Sequence, residues 1–124
     1  MKKVVVSGSL LNKDKIDYWV NYFTKKGYDV INHPKETNEN FIKIYSNFYK
    51  SIDEADILFI VNERKNNVDG YIGVATYAEL AYGIIKKIND NKDIYIYVVN
   101  KPNIDEVNAW IDLNMVSIFD ETKM

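Results

Sequence analysis

The sequence predicts an α/β fold, in which helices cover both faces of a parallel sheet of about five strands. Short apolar runs of strand length alternate along the chain with segments whose apolar residues recur at helical spacing. This alternation favours a parallel sheet, because right-handed crossovers place successive helices on the faces of the sheet. We expect a flavodoxin-like strand order, 2-1-3-4-5, and a single domain over residues 1–124.

The first half of the chain predicts two strands and two helices. The run Val4-Val5-Val6 is continuous and β-branched, as in a strand buried on both faces. A helix follows and ends near Gly27, a residue typical of C-terminal caps; its apolar positions are Ile16, Trp19, Val20 and Phe23. A second strand over residues 28–31 stops before Pro34, and a second helix is expected over residues 38–54. The apolar stripe of that helix comprises Phe41, Ile44, Tyr45, Phe48 and Ile52.

The second half of the chain continues the alternation. A third strand is predicted over residues 57–62 and a fourth over residues 94–99. Between them lies a helix whose predicted core-facing positions are Tyr77, Leu80, Ala81, Ile84 and Ile88. This assignment turns Glu79 and Gly83 onto other faces of the helix. A short helix over residues 105–112 and an edge strand over residues 116–119 complete the chain.

Composition excludes several classes of function. With 18 acidic and 16 basic side chains the formal net charge is −2, and the lysines are scattered, so we expect no nucleic-acid partner. The chain has no cysteine and one histidine, His33, which leaves no thiolate zinc site and no histidine cluster. No apolar run approaches the length of a membrane span. We therefore expect a cytoplasmic protein with no membrane partner.

The segment from Gly70 to Gly83 holds the main candidate site residue, Glu79. A glycine loop opens here at the carboxyl end of a predicted parallel strand, the edge where open α/β sheets bind ligands. Gly70 and Gly73 would let a ligand approach the backbone. The helix macrodipole should keep a carboxylate near the helix N-terminus ionised, which favours a nucleophilic or electrostatic role. The alternative is an ordinary surface glutamate on an early helical turn.

Neighbouring loops supply further candidates, each with a purely structural alternative. Ser7-Gly8-Ser9 follows the first strand and either binds a ligand or simply joins strand to helix. Asp69 is either a second site carboxylate or a turn former before glycine. Tyr71 either contacts a base or Glu79, or packs structurally. His33 is interpreted as a solvated loop residue, and neither a G-x-G-x-x-G nor a P-loop pattern is present.

The segment from Gly70 to Gly83 resembles the signature G-Y-I-G-x-x-T-x-x-E-[IL]-x-Y-[AG] of the nucleoside 2-deoxyribosyltransferase-like superfamily. The resemblance is to its branch of small, mostly uncharacterised prokaryotic and phage proteins. The matching residues, in register, are Gly70, Tyr71, Ile72, Gly73, Thr76, Glu79, Leu80, Tyr82 and Gly83. The similarity extends to the opening strand with Gly8-Ser9 and to the Asp53-Glu54-Ala55-Asp56 segment before the third strand.

The resemblance implies a retaining reaction at the N-glycosidic bond of a small-molecule nucleoside or nucleotide, without a metal or organic cofactor. Glu79 would attack the anomeric carbon, and water or a second nucleobase would resolve the covalent intermediate. We predict catalytic roles for Glu79, Asp69 and Tyr71. The predicted substrate-binding residues are Ser7, Gly8, Ser9, Asn62, Gly70, Gly73 and Thr76. The resemblance also implies a homodimer or larger homo-oligomer, with Trp110 and Tyr82 available for a contact.

The chain departs from the better-known enzymes at three positions. Phe48 replaces an aspartate, Ala81 replaces a glycine, and Asn62 replaces an acidic residue at the end of the third strand. Proton delivery to the leaving base then falls to Asp53 or Asp69 as substitutes. We therefore expect hydrolysis or (deoxy)ribosyl transfer, and we favour hydrolysis, or binding without turnover, over true deoxyribosyl transfer. The alternative is a non-catalytic nucleotide-binding or interaction protein on the same fold.

Overall fold

The computed structural model describes residues 1–123 and contains one five-stranded, all-parallel sheet in the order β2-β1-β3-β4-β5. This order and the α/β class confirm the sequence-based prediction. The strands are β1 (Lys3–Gly8), β2 (Asp29–Asn32), β3 (Ile57–Val61), β4 (Tyr95–Val98) and β5 (Ser117–Ile118). The last is shorter than the predicted edge strand.

Four α-helices cover the two faces of the sheet: α1 (Lys13–Lys25), α2 (Phe41–Glu54), α3 (Val74–Asn89) and α4 (Asp105–Asp112). Short 3₁₀ turns span Leu10–Asn12 and Glu121–Lys123. The α1 helix packs on one face over a core rich in aromatic rings, whereas α2, α3 and α4 pack on the other over a mainly aliphatic core. No helix in the described residues combines the length and apolar character needed to cross a bilayer.

The pairing of β1 with β3 brings two loops together at the carboxyl edge of the sheet. The register runs from Val4 opposite Ile57 to Gly8 opposite Val61. A Cβ on Gly8 would lie 3.0 Å from the Val61 carbonyl oxygen and 2.9 Å from Ile16 Cδ1. Glycine therefore lets the end of β1 lie close against β3, and the two strands deliver their loops to the same place.

The α3 helix presents a different face to the sheet from the one predicted. Its buried residues are Thr76, Glu79, Leu80, Gly83 and Ile84, whereas Ile88 is 63% exposed. A Cβ on Gly83 would lie 2.9 Å from Leu58 Cδ2, so this glycine lets the helix lie close to β3. The prediction that Glu79 and Gly83 face away from the core is therefore wrong. The prediction used the spacing of the large apolar residues, and this spacing cannot reveal a helix face that packs through Gly83, which has no side chain.

The α2 helix begins later than predicted because Asn40 caps it. The Asn40 side-chain oxygen accepts a 2.9 Å hydrogen bond from the Lys43 amide, as in a standard N-cap. Phe48 and Ile52 are buried, but Phe41 is 75% exposed and Tyr45 is 42% exposed. The second half of the α2 apolar stripe thus packs on the sheet, whereas the first half lies outside the core.

Candidate functional site

A cleft of about 580 Å³ lies at the carboxyl edge of the sheet, over the ends of β2, β1 and β3. One wall consists of residues 32–35, at the end of β2 and just after it, together with the first half of α2. The other consists of the loop after β1, the loop between β3 and α3, and the first turns of α3. From β1 the chain adds β2 on one side and then β3 on the other, and the cleft lies at this switch point. Open α/β sheets bind ligands at this position.

Glu79 lies in this cleft and is bonded to the end of β1. Its side chain is 8% exposed, and its Oε1 accepts a 2.6 Å hydrogen bond from Ser7 Oγ, which is fully buried. Ser7 therefore holds one carboxyl oxygen of Glu79 in place. The predicted convergence of the Ser7-Gly8-Ser9 loop with Glu79 is present as a direct contact.

Burial raises the pKa of Glu79 to about 7, and the Ser7 hydrogen bond opposes this shift by stabilising the charged form. The sequence-based expectation was that the helix dipole keeps this carboxylate ionised, but the effect of burial on its pKa exceeds any such stabilisation. Glu79 lies in the second turn of α3, and the effect of the dipole falls off within the first turn. Desolvation is the larger effect at this position.

The structure brings most of the predicted site residues to the cleft. Those that line it with Glu79 are Gly8, Ser9, Tyr71, Gly73 and Thr76. Ser7 lies beneath the surface of the cleft, behind Glu79. The first-turn amides of any helix have no partner within the helix. Gly73, the N-cap of α3, has no side chain that could accept a hydrogen bond from them.

Asn62 does not line the cleft, and its polar atoms are already used. Its Oδ1 accepts hydrogen bonds from the amides of Val99 and Asn100, at 2.8 and 3.0 Å. Its Nδ2 donates to the Asn100 carbonyl oxygen at 2.8 Å. The side chain is 1% exposed. Asn62 thus joins the end of β3 to the end of β4, and we leave it out of the proposed site.

Asp69 and Gly70 also lie outside the cleft lining. Asp69 is exposed and forms a 2.7 Å ion pair with Arg64. Gly70 has a φ of +66°, and a Cβ there would lie 1.9 Å from the Lys101 carbonyl oxygen. Only glycine fits this close approach of two backbones. Their observed contacts are structural, and we leave both out of the proposed site.

Phe48 takes the position at which the enzymes that the sequence resembles carry an aspartate, and the site is hydrophobic at this point. Phe48 lines the cleft and also belongs to the buried core beneath α2. Asp53, a predicted substitute proton donor, does not line the cleft. It accepts a 2.6 Å hydrogen bond from Tyr82 Oη and forms a 3.2 Å ion pair with Lys86. Asp53 therefore ties α2 to α3, and neither it nor Asp69 is placed to protonate a leaving base in the cleft.

Sequence reasoning missed several residues of the cleft. His33 was expected in a solvated loop, but it is half-buried on the wall, with Nδ1 2.9 Å from the Pro34 carbonyl oxygen. Lys65 lines the same cleft, as do Phe41 and Tyr45. His33 follows β2, which ends at the same edge of the sheet, and this position could have indicated that His33 belongs to the cleft. Lys65 belongs to the polar loop that follows β3 beside the site, but no residue pattern distinguished it from the other charged residues of that loop.

Among residues 1–123, no three His, Asp or Glu side chains are grouped as a metal site would require. The carboxylates lining the cleft are Glu79 and Glu39. Glu39 is partly exposed and pairs with Lys43 at 3.4 Å. The chemistry of the described cleft therefore centres on one buried carboxyl group, flanked by hydroxyl groups, aromatic rings and lysines.

Comparison with known proteins gives structural similarity alone. No protein-family model matches the chain, and no curated protein matches it in sequence. Among solved structures, the fold is similar to that of the Clostridium botulinum CMP N-glycosidase BcmB, with a TM-score of 0.64. The identity is 14%, and the match covers 97% of this chain and 92% of that chain. This chain and that protein therefore share one fold over nearly their whole lengths.

Proposed function

We propose that the protein cleaves the N-glycosidic bond of a nucleoside or nucleotide, with Glu79 as the nucleophile. The observation that carries the proposal is the buried Glu79 carboxyl, held at one oxygen by Ser7 inside a cleft at the carboxyl edge of the sheet. The G-Y-I-G-x-x-T-x-x-E motif and the similarity in fold to a CMP N-glycosidase support the same reaction.

The reaction would proceed through two displacements at the anomeric carbon. In the first, a Glu79 oxygen forms a bond to C1′ while the C1′–N bond breaks and its electron pair leaves with the base. In the second, water adds to C1′, loses a proton, and releases the Glu79 carboxylate. Because the Ser7 hydroxyl engages Oε1, Oε2 is the oxygen left to attack. Retention of configuration at C1′ follows from two successive inversions.

The leaving base must gain a proton as the C1′–N bond breaks. Asp53 and Asp69 lie outside the cleft lining, and Phe48 stands where related enzymes have an aspartate. The proposal therefore takes this proton from water in the open cleft. Positioned general acids commonly contribute about 10²–10⁴-fold to rate, so turnover should be slow. Hydrolysis rather than transfer to a second base is the proposed outcome.

The test is incubation with a pool of nucleosides and nucleoside monophosphates, followed by chromatography and by mass spectrometry of the intact protein. Wild type should release free base and carry a glycosyl adduct, whereas Glu79→Gln should do neither while binding substrate with little change. Equal release of base by both proteins would remove Glu79 from its role. Recovery of every ligand intact from the wild type would favour a non-catalytic binding protein.

We also propose that the chain forms a homodimer or larger homo-oligomer. Trp110 and Tyr82, the aromatic residues first considered for the contact, make contacts within the chain: Trp110 stacks on Tyr77 and Tyr82 bonds to Asp53. The rim of the cleft is the better candidate surface, because Phe41 and Val74 there are 75% and 90% exposed. Light scattering should give a multiple of the monomer mass, and Val74→Glu should reduce it.

A further inference from the structure

We propose that Lys65, together with the hydroxyl of Ser9, binds the phosphate group of the substrate, so that the protein acts on nucleoside 5′-monophosphates in preference to nucleosides. The inference rests on the proposed function, because it assigns the phosphate to the same cleft that holds Glu79. It names the substrate class that the cleft selects.

Lys65 is a half-buried cation on the cleft wall, and no anionic partner for it is present within residues 1–123. Its Nζ lies 3.5 Å from Ser9 Oγ and 5.3 Å from the centroid of the Tyr71 ring. Among the residues that the structure describes, no carboxylate forms an ion pair with it. The neighbouring Arg64 is exposed and paired with Asp69 at 2.7 Å. Partial removal of an ammonium group from water is unfavourable without a counter-charge, which an anionic ligand would supply.

A tight two-residue turn holds Lys65 in this position. The Lys65 and Val68 backbones exchange two hydrogen bonds of 3.1 and 2.9 Å. Asn66 and Asn67 between them have φ values of 54° and 60°, a left-handed pair that asparagine tolerates. The backbone that carries Lys65 is therefore defined before a ligand arrives, which lowers the entropic cost of binding.

Ser9 places a second donor beside the ammonium group. Its Oγ accepts hydrogen bonds from the Leu11 amide at 3.2 Å and from Lys65 Nζ at 3.5 Å. With its oxygen serving as acceptor, the hydroxyl proton of Ser9 is available to donate. A phosphate group can accept from both donors through separate oxygens, whereas the neutral 5′-hydroxyl of a nucleoside gains no charge pairing with Lys65.

The strand order gives this arrangement a direction. Along the sheet edge, the end of β2 with His33 comes first, then the end of β1 with Ser9, then the loop after β3 with Lys65. In a nucleotide the sugar lies between the base and the phosphate. If C1′ is placed at Glu79, this order directs the base towards the aromatic residues of α2 that line the cleft and the phosphate towards Lys65.

The test compares Lys65→Gln with wild type on the four ribonucleoside 5′-monophosphates and the matching nucleosides. The value of kcat/KM for monophosphates should fall by about 10-fold or more, since hydrogen bonds to charged groups contribute about 1.5–3 kcal/mol. The values for nucleosides should change much less. Arg64→Gln is the matched control, because it removes a cation from the same loop but outside the cleft lining. The inference would be overturned if Lys65→Gln lowered kcat/KM equally for monophosphates and nucleosides, or lowered it for neither.

Binding of ribose 5-phosphate separates this inference from the proposed function. Calorimetry on wild type, Lys65→Gln and Arg64→Gln needs neither turnover nor knowledge of the base. Wild type and Arg64→Gln should bind ribose 5-phosphate more tightly than ribose, and Lys65→Gln should lose that difference. If this holds but no glycosidic bond is cleaved, the proposed function fails and the phosphate assignment stands. If wild type prefers ribose or cleaves only nucleosides, the phosphate assignment fails.

Discussion

Ser7 Oγ, at the end of β1, donates a 2.6 Å hydrogen bond to Oε1 of Glu79, on the second turn of α3. The two residues are 72 positions apart in the chain. Both side chains are buried, so the bond forms where water does not compete with it. The ionisation of the proposed nucleophile therefore depends on a residue of a different strand and loop.

The first prediction concerns the pH dependence of activity. Because burial raises the pKa of Glu79 to about 7, and only the ionised carboxylate can attack C1′, kcat/KM should rise with pH up to about 7 and then level off. Below pH 6 the value should fall about tenfold per pH unit. A pH–rate profile on any substrate that the wild type cleaves provides the measurement. A profile that is flat from pH 5 to 8 would contradict the assignment of an essential, buried glutamate.

The second prediction concerns Ser7→Ala. Removing the hydroxyl deletes a hydrogen bond that favours the charged form, so the pKa of Glu79 should rise further. The rising limb of the pH–rate profile should move to higher pH by about one pH unit, given the usual strength of a hydrogen bond to a charged group. Ser117→Ala, at an exposed position of β5, is the control. An unchanged midpoint in Ser7→Ala would show that the bond does not govern the ionisation of Glu79.

The third prediction is a pH-dependent change in stability that needs no substrate. The carboxyl of Glu79 titrates near 4.5 in the unfolded chain and near 7 in the folded one. Between these values the unfolded state loses its proton first, so this group lowers the free energy of unfolding as pH rises, and its full cost is present above pH 7. Glu79→Gln lacks this cost. Its stability relative to wild type should therefore increase from pH 4.5 to 7, by a total of the order of 3 kcal/mol.

Urea unfolding at several pH values measures this difference directly. Glu54→Gln, a change at an exposed glutamate of α2, controls for the substitution itself. A difference between Glu79→Gln and wild type that stays constant from pH 4.5 to 8 would refute a buried Glu79 with a raised pKa.

The fourth prediction concerns the structural role of Gly70, measured by urea unfolding. Gly70→Ala should lower the free energy of unfolding by more than about 3 kcal/mol, because the new Cβ would lie 1.9 Å from a backbone oxygen of Lys101. Gly27→Ala is the matched comparison. Gly27 also has a positive φ, +88°, but nothing lies within 4 Å of a Cβ there, so its cost should be about 1 kcal/mol. Equal losses in the two variants would show that the close approach at Gly70 relaxes easily.

The sheet was predictable because its central strands are short runs of β-branched and aliphatic residues separated by helical segments. The run Val4–Val6 and the run 57–61 are buried on both faces, as such runs predict. The packing face of α3 was not predictable in this way, because Gly83 contributes a contact through its missing side chain. Glu79 stood out through a resemblance in its motif, and its burial became visible only with the helix in place.

The remaining site residues depend on contacts between distant segments. Asn62 resembles a site residue in position, at the end of a strand, but its bonding to Val99 and Asn100 is a property of the neighbouring strand. Lys65 looks like one more charge in a polar loop. Its position in the cleft depends on a turn of two asparagines and on the proximity of Ser9. No local pattern in the sequence encodes either relationship.

The separation of the core into two sides places the two tryptophans of the protein in different surroundings. Trp19 lies on the α1 side, 4.8 Å from the Phe59 ring, whereas Trp110 lies on the other side, stacked on Tyr77 of the helix that carries Glu79. Emission from a variant that retains only Trp110 reports on the half of the molecule that holds the cleft. Emission from one that retains only Trp19 reports on the half behind the sheet, and the two signals together resolve whether both halves unfold in one step.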